Sequence, residues 1–166
     1  MGPRPQLITD FCGYNTYTGG HGTTTDDAYW VADLTLTCDV EIAEAGDKSE
    51  VVVELNEGVH CYRCRIDVST GNAKLVSVNR YSGAAESEVV LAEANSDLVG
   101  TGDWELRFAN VDNRICLWID DDLVDFGDAA NYIEDESQTP SPQDEDLIPV
   151  GIAVRDAGAK VSNLLI

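Results

Sequence analysis

The sequence predicts an all-β chain of antiparallel strands. Apolar and polar residues alternate with period two through most of it, Gly, Asn and Asp punctuate the runs, and helical spacing is scarce. About ten short strands with no helices between them argue for a sandwich or a barrel and against a parallel βαβ design.

The strands follow in order. "WVADLTLTCDVEI" (30–42) sets Leu34, Leu36, Cys38, Val40 and Ile42 on one face and Thr35, Thr37, Asp39 and Glu41 on the other. "EVVVELNE" (50–57) follows, then a strand over 59–68 after Glu57-Gly58. A turn at Ser69-Thr70-Gly71-Asn72 folds it back onto "AKLVSV". "WELRFANV" and "RICLWID" are joined by Asp112-Asn113, a two-residue hairpin connection. "PVGIAVR", a turn "DAGA" and "KVSNLLI" close the chain. Two stretches break the rhythm. "TYTGGHGTTTDDA" (16–28) reads as a long loop, and the acidic, proline-bearing 131–147 reads as a mobile surface loop within one domain spanning 1–166.

Composition narrows the function. A net charge of −21 argues against nucleic acid and against anionic lipid as partners, and suits a cation-attracting surface or, more plainly, solubility or a salty habitat. No apolar run approaches the ~20 residues of a membrane span. The opening "MGPRPQLITD" lacks the apolar core of an export signal and reads as a boundary within a larger protein.

Five cysteines leave at least one outside any internal pairing. Cys61 and Cys64 form a C-x-x-C, but strand alternation sends them to opposite faces, and no second pair exists to complete a zinc site. A disulfide among Cys12, Cys38 and Cys116 is left unassigned.

The conspicuous polar motif is Asp120-Asp121-Asp122 within "LWIDDDLV". Aspartate suits a tight turn because it tolerates positive φ and bonds its own backbone, so strand, turn, strand is the first reading. The second is calcium, with these three completed by Asp125, Asp128 or the Asp26-Asp27 pair.

Asp39 and Glu41 share a strand face at roughly 6.5–7 Å along the strand, a spacing open to either glycosidase stereochemistry. Their neighbours Thr35 and Thr37 suggest a solvated face, with no sugar-stacking aromatic on that face of the strand. His21 and His60 lie in no recognisable nucleophile motif, and no catalytic residue is assigned. Trp104 and Phe108 share a face with Leu106 and read as core. Trp118 alternates with Ile119, so one of the two faces out. Tyr14, Tyr17, Tyr29 and Trp30 gather around the first long loop. With Trp118 they are the candidates for stacking on a glycan, although such aromatics also serve to cover a core edge.

"LITDFCGYN", "YWVADLTLTCDVEI", "YRCRIDVSTGNAKL", "LRFANVDNRICLWIDDDLV" and "PVGIAVRDAGAKVSNLLI" together resemble a concanavalin A-like or laminin G-like jelly roll, and within that group the β-sandwich insert of an atypical bacterial signal peptidase I. The resemblance implies an antiparallel two-sheet β-sandwich on the extracytoplasmic face of the cytoplasmic membrane. Its parent would be a membrane-bound Ser/Lys endopeptidase. The serine motif of that family, S-M-x-P, and its P-G-D signature are both missing, since the one methionine is Met1. Catalytic residues would therefore lie elsewhere in the parent chain. "DDD" stands where laminin G-like relatives carry an Asp-Gly turn at their calcium rim, which separates this chain from a calcium site of that pattern.

The expected role is a non-catalytic accessory module, in contact with the rest of the parent chain or with a cell-envelope component. The alternatives are a carbohydrate-binding, lectin-like module and, third, a glycoside hydrolase. A binding module should show an aromatic-bearing sheet face, a hydrolase two converging carboxylates in a cleft, and a spacer neither.

Overall fold

The computed structural model describes residues 7–10, 29–31, 33–58, 60–79, 86–132 and 144–166. Twelve strands are present among them: β1 (Thr9–Asp10), β2 (Tyr29–Trp30), β3 (Thr35–Glu44), β4 (Glu50–Glu57), β5 (His60–Asp67), β6 (Asn72–Asn79), β7 (Ser87–Asn95), β8 (Gly102–Val111), β9 (Arg114–Ile119), β10 (Asp122–Leu123), β11 (Val150–Arg155) and β12 (Gly158–Leu165). Two five-stranded sheets, in the orders β10-β9-β8-β3-β12 and β11-β4-β5-β6-β7, are antiparallel throughout, and β1 and β2 make a separate two-stranded ribbon. The expected antiparallel two-sheet β-sandwich is what the chain forms. The described helical segments are two single turns of 3-10 helix, Gly127–Ala130 and Asp144–Leu147, and no described helix is long and apolar enough to cross a membrane.

Alternation puts the core where the sequence placed it. Leu36, Cys38, Val40 and Ile42 of β3 are buried, and they pack with Val51, Val53 and Leu55 of β4, Tyr62, Cys64 and Ile66 of β5, and Leu106 and Phe108 of β8. Each fully buried Leu, Ile or Phe among them contributes about 1.5–3 kcal/mol relative to exposure. Cys64 lies in this core while Cys61 packs on the other face with Val76 and Val78, so the two cysteines are not bonded to each other. Cys38, Cys64 and Cys116 are thiols. Burial, reinforced by the Asp39 charge, pushes Cys38 up to about 11.

The turns follow the chemistry of their residues. Asp112-Asn113 (φ 49° and 61°) and Asp120-Asp121 (φ 51° and 68°) both occupy the left-handed region, as a two-residue hairpin of the I′ kind demands. They place Val111 opposite Arg114 and Ile119 opposite Asp122. Gly71 (φ 75°) closes the β5–β6 turn, its N–H donating to the Asp67 carbonyl at 2.7 Å while its own carbonyl accepts from Ser96 N at 2.8 Å.

Two elements differ from expectation. The strand expected over 30–42 is divided: Trp30 belongs to the β1–β2 ribbon, and β3 starts at Thr35. β7 was not anticipated. Its pairing with β6 skips Leu91, since Leu75 faces Ala92 and Val76 faces Val90, so the bulge breaks the alternation that would have revealed it. Most of the acidic stretch 131–147 lies outside the described residues.

Candidate functional site

Register decides which side chains meet on the outer face of the first sheet. Leu123, Trp118, Arg107, Thr37 and Leu165 form one row across all five strands. The next row holds Glu105, Asp39 and Ser162, and the third Asp103, Glu41 and Lys160. Ile119 is buried in the core, so Trp118 is the half-exposed member of its pair. The Arg107 guanidinium lies 5.8 Å from the centre of the Trp118 ring. Its Nη2 is paired with Glu105 Oε1 at 3.2 Å and Asp121 Oδ1 at 3.0 Å. A groove of about 360 Å³ runs beside this row, lined by Asp39, Val40, Glu41, Asp103, Trp104, Glu105 and Ser162. Asn163 Nδ2 donates to Asp39 Oδ2 at 2.5 Å. The face therefore sets Trp118 and its arginine, flanked by Leu123 and Leu165, beside two rows rich in carboxylates with Lys160 at their margin. An acceptor field answers the hydroxyls of a polyol, and an aromatic ring answers an apolar C–H face.

The outer face of the second sheet is built differently. Arg63 is only 9% exposed in its side chain; its Nε and Nη2 bond Glu54 Oε2 at 2.8 and 2.6 Å, and Nη1 bonds Glu86 Oε1 at 2.7 Å and Glu88. Arg65 reaches Glu88 Oε1 through Nη2 at 2.6 Å and Glu50 Oε2 through Nη1 at 2.9 Å, and Arg155 joins Glu50 at 3.3 Å. Burial works against the Arg63 charge, but the hydrogen bonds it donates to Glu86, Glu54 and Glu88 outweigh it and raise its pKa. Glu88 is held below the usual carboxylate range, chiefly by its hydrogen bond with Arg65 and then, against some burial, by Arg63. The arginine donors here are engaged by carboxylates within the sheet itself.

A third cluster closes one end of the sandwich. Glu57 Oε2 accepts from Asn110 Nδ2 and from the Tyr132 hydroxyl, each at 2.6 Å. The Tyr62 and Tyr132 rings lie 4.9 Å apart, and His60 is 6.0 Å from Tyr62 and 5.8 Å from Tyr132. Burial, followed by Glu57, raises the Tyr132 pKa. Tyr62 and Asn110 are buried, His60 and Tyr132 half-buried, and the cluster ties β4 to β8.

Asp120, Asp121 and Asp122 take the turn arrangement. Asp120 Oδ1 accepts from Glu105 N at 2.7 Å, Asp121 meets Arg107, and Asp122 pairs with Ile119 in the ladder. Asp125 Oδ1 is spent on Gly127 N at 2.8 Å. Among the described residues no group of three or more His, Cys, Asp or Glu is placed to hold a metal ion. Tyr14, Tyr17, His21 and the Asp26-Asp27 pair lie outside the described residues. Tyr29 and Trp30 are described through the backbone pairing of β2 alone, with Trp30 opposite Thr9 and Tyr29 opposite Asp10. Of the five aromatic candidates, Trp118 is the one with a described side chain. The partnership of Trp118 with Arg107 was not foreseen, because it depends on the β8–β9 register rather than on either strand alone.

No protein-family profile matches the sequence, and no curated protein matches it. Among solved structures the fold is similar to the carbohydrate-binding module CBM66 from Bacillus subtilis, at TM-score 0.50 and 18% identity over 81% of this chain and 74% of that one. It is also similar to sheep galectin-11 in complex with glycerol, at TM-score 0.44 and 12% identity over 98% of this chain and all of that one. The jelly-roll sandwich is shared with the first of these. The resemblance to a signal peptidase insert gains no support from these comparisons.

Proposed function

We propose that this chain is a non-catalytic carbohydrate-binding module that takes a glycan on the outer face of the β10-β9-β8-β3-β12 sheet. Trp118 is the observation that carries the reading: a half-exposed ring, steadied by Arg107, on a sheet face that also carries the carboxylates of Asp39, Glu41, Asp103 and Glu105. The ring takes the apolar C–H face of a pyranose, while Asp39, Glu105 and Asp121 accept from its hydroxyls. The jelly-roll fold, shared with a module whose name declares carbohydrate binding, supports the class and does not name the sugar.

The test is calorimetric titration of the 166-residue chain against a panel of neutral, anionic and amino-sugar oligosaccharides. At least one class should bind, and Trp118→Ala should weaken it more than tenfold while leaving the thermal unfolding midpoint within a few degrees. Silence across the panel, or an affinity indifferent to the tryptophan, would sink the proposal.

A further inference from the structure

Cross-strand register sets like charges face to face in the groove beside Trp118. Asp39 stands opposite Glu105, and Glu41 opposite Asp103, on the paired strands β3 and β8. Directly opposed residues on one face have Cβ atoms about 4.5–5.5 Å apart, a spacing at which like charges destabilise a sheet. The first pair is answered: Asp39 accepts from Asn163 Nδ2, and Glu105 meets Arg107 at 3.2 Å. The second is not. Among the described residues neither Glu41 nor Asp103 has an ion-pair or side-chain hydrogen-bond partner, and Lys160, which stands opposite Glu41 on β12, forms no ion pair with it.

Like charges also oppose each other on the second sheet, at Arg65–Lys74 and Glu50–Asp67. There the chain supplies the partners itself. Glu50 and Glu88 answer Arg65, Glu93 answers Lys74 at 3.1 Å, and Ser69 donates to Asp67 at 2.6 Å. Glu41–Asp103 is thus the one opposed like-charge pair of the described strands that the molecule leaves unanswered. It lies in a groove whose volume, about 360 Å³, falls within the roughly 300–1,000 Å³ of small-ligand sites, with Trp104 in its lining.

We infer, on the premise that this face binds carbohydrate, that its ligand is a cationic glycan: an oligosaccharide of unacetylated amino sugars, with one ammonium seated between Glu41 and Asp103. An ammonium carries three N–H donors on one centre, so it bonds both carboxylates at once and turns their repulsion into two attractions. A hydroxyl or an N-acetyl group leaves the repulsion in place, and a sulfate or uronate adds to it. The same register sets the length of the ligand. Asp103 and Arg107 are four residues apart on β8, about 13 Å along the strand, so one sugar cannot span from the ammonium seat to the Trp118 row. The ring on Trp118 and the amine between the carboxylates belong to different units of one chain.

Calorimetric titration of the full 166-residue chain with three hexasaccharides of one linkage, built of glucosamine, N-acetylglucosamine or glucose, tests this. At low salt the glucosamine chain should bind at least tenfold tighter than the other two, and its lead should shrink as salt rises. Glu41→Gln with Asp103→Asn should erase the lead. Asp97→Asn with Asp128→Asn, which removes the same charge from other exposed positions, should keep it. Without sugar, the first pair of substitutions should raise the melting midpoint more than the second, because it alone relieves an opposed pair. Spermidine, with ammonium groups but no ring, should bind at least tenfold more weakly than the glucosamine chain. A glucose chain that binds as tightly through Trp118 would overturn the inference and leave the carbohydrate reading standing. A lead that survives the Glu41 and Asp103 substitutions, or spermidine binding as well as the sugar, would overturn it too. Silence from all three chains would do the same, the carbohydrate reading then standing or falling on the wider panel.

Discussion

The two outer faces of the sandwich are both rich in carboxylates, and they use them in opposite ways. On the β11-β4-β5-β6-β7 face, Arg63 and Arg65 sit at the centre of Glu50, Glu54, Glu86 and Glu88, and the acids are consumed in cross-strand ion pairs. On the β10-β9-β8-β3-β12 face, the one central arginine, Arg107, lies over Trp118, and its ion pairs reach only Glu105 and Asp121; Asp39, Glu41 and Asp103 line the groove. A face that neutralises itself is a structural device. A face that leaves acceptors beside an aromatic ring is equipped to meet something else. The two are told apart by where the arginines stand, not by how many acids each face holds.

The largest expected effect comes from breaking the neutralised face. Arg63→Ala removes a guanidinium that is itself only 9% exposed and leaves Glu54, Glu88 and the more open Glu86 crowded together without their cation, and should cost about 3 kcal/mol in urea denaturation. The equivalent cut on the other face, Trp118→Ala, should cost no more than about 1 kcal/mol, because the ring is half-exposed and its contact with Arg107 is a surface cation–π pair. If the two costs come out equal, the contrast between a structural face and a receptive one is lost.

A smaller effect should appear in acid. Glu88 has a folded pKa below its unfolded one, so the folded state binds fewer protons there than the unfolded state does. Its contribution is complete above the ordinary glutamate pKa of about 4.3 and disappears as pH falls through the depressed folded value. Relief of the −21 charge acts in the opposite direction over the same range. Comparing wild type with Arg65→Met separates the two: the variant should lose less stability between pH 6 and pH 3, read from denaturation midpoints. A parallel fall in both proteins would mean that Arg65 does not hold Glu88 down.

The smallest effect belongs to the aspartate turn. Asp121 sits at φ 68° with an 81% exposed side chain, so Asp121→Gly trades a weak surface pair for a residue at ease in that conformation. Stability should change by no more than about 0.5 kcal/mol, towards greater stability. Millimolar calcium should shift the melting of neither protein; a rise in wild type alone would return the aspartates to the list of ligands.

Much of this was legible in the chain. The alternation of β3 and the two non-glycine hairpin turns could be read directly, because a period-two pattern with one buried face leaves little choice of register. β7 could not: its bulge and its exposure on both faces erase the pattern at an edge. The site was legible only in part. Strand alternation narrowed the outward residue to Trp118 or Ile119. The rows that join Trp118 to Arg107, and Arg63 to Glu54, exist only after strands pair. The His60, Tyr62 and Tyr132 cluster draws on residues 72 positions apart, and no local signal announces it.

The placement of β3 between β8 and β12 bears on how the chain emerges during synthesis. Asp39 waits for Glu105, 66 residues later, and for Ser162, 123 residues later. At roughly 5–20 residues per second, the first partner arrives after about 3–13 s and the second after about 6–25 s. The four-strand meander from β4 to β7 needs only neighbours already made, so it can assemble while both backbone edges of β3 still lack their partner strands. The vulnerable interval in the life of this protein falls on the nascent chain, where a chaperone would find β3 first.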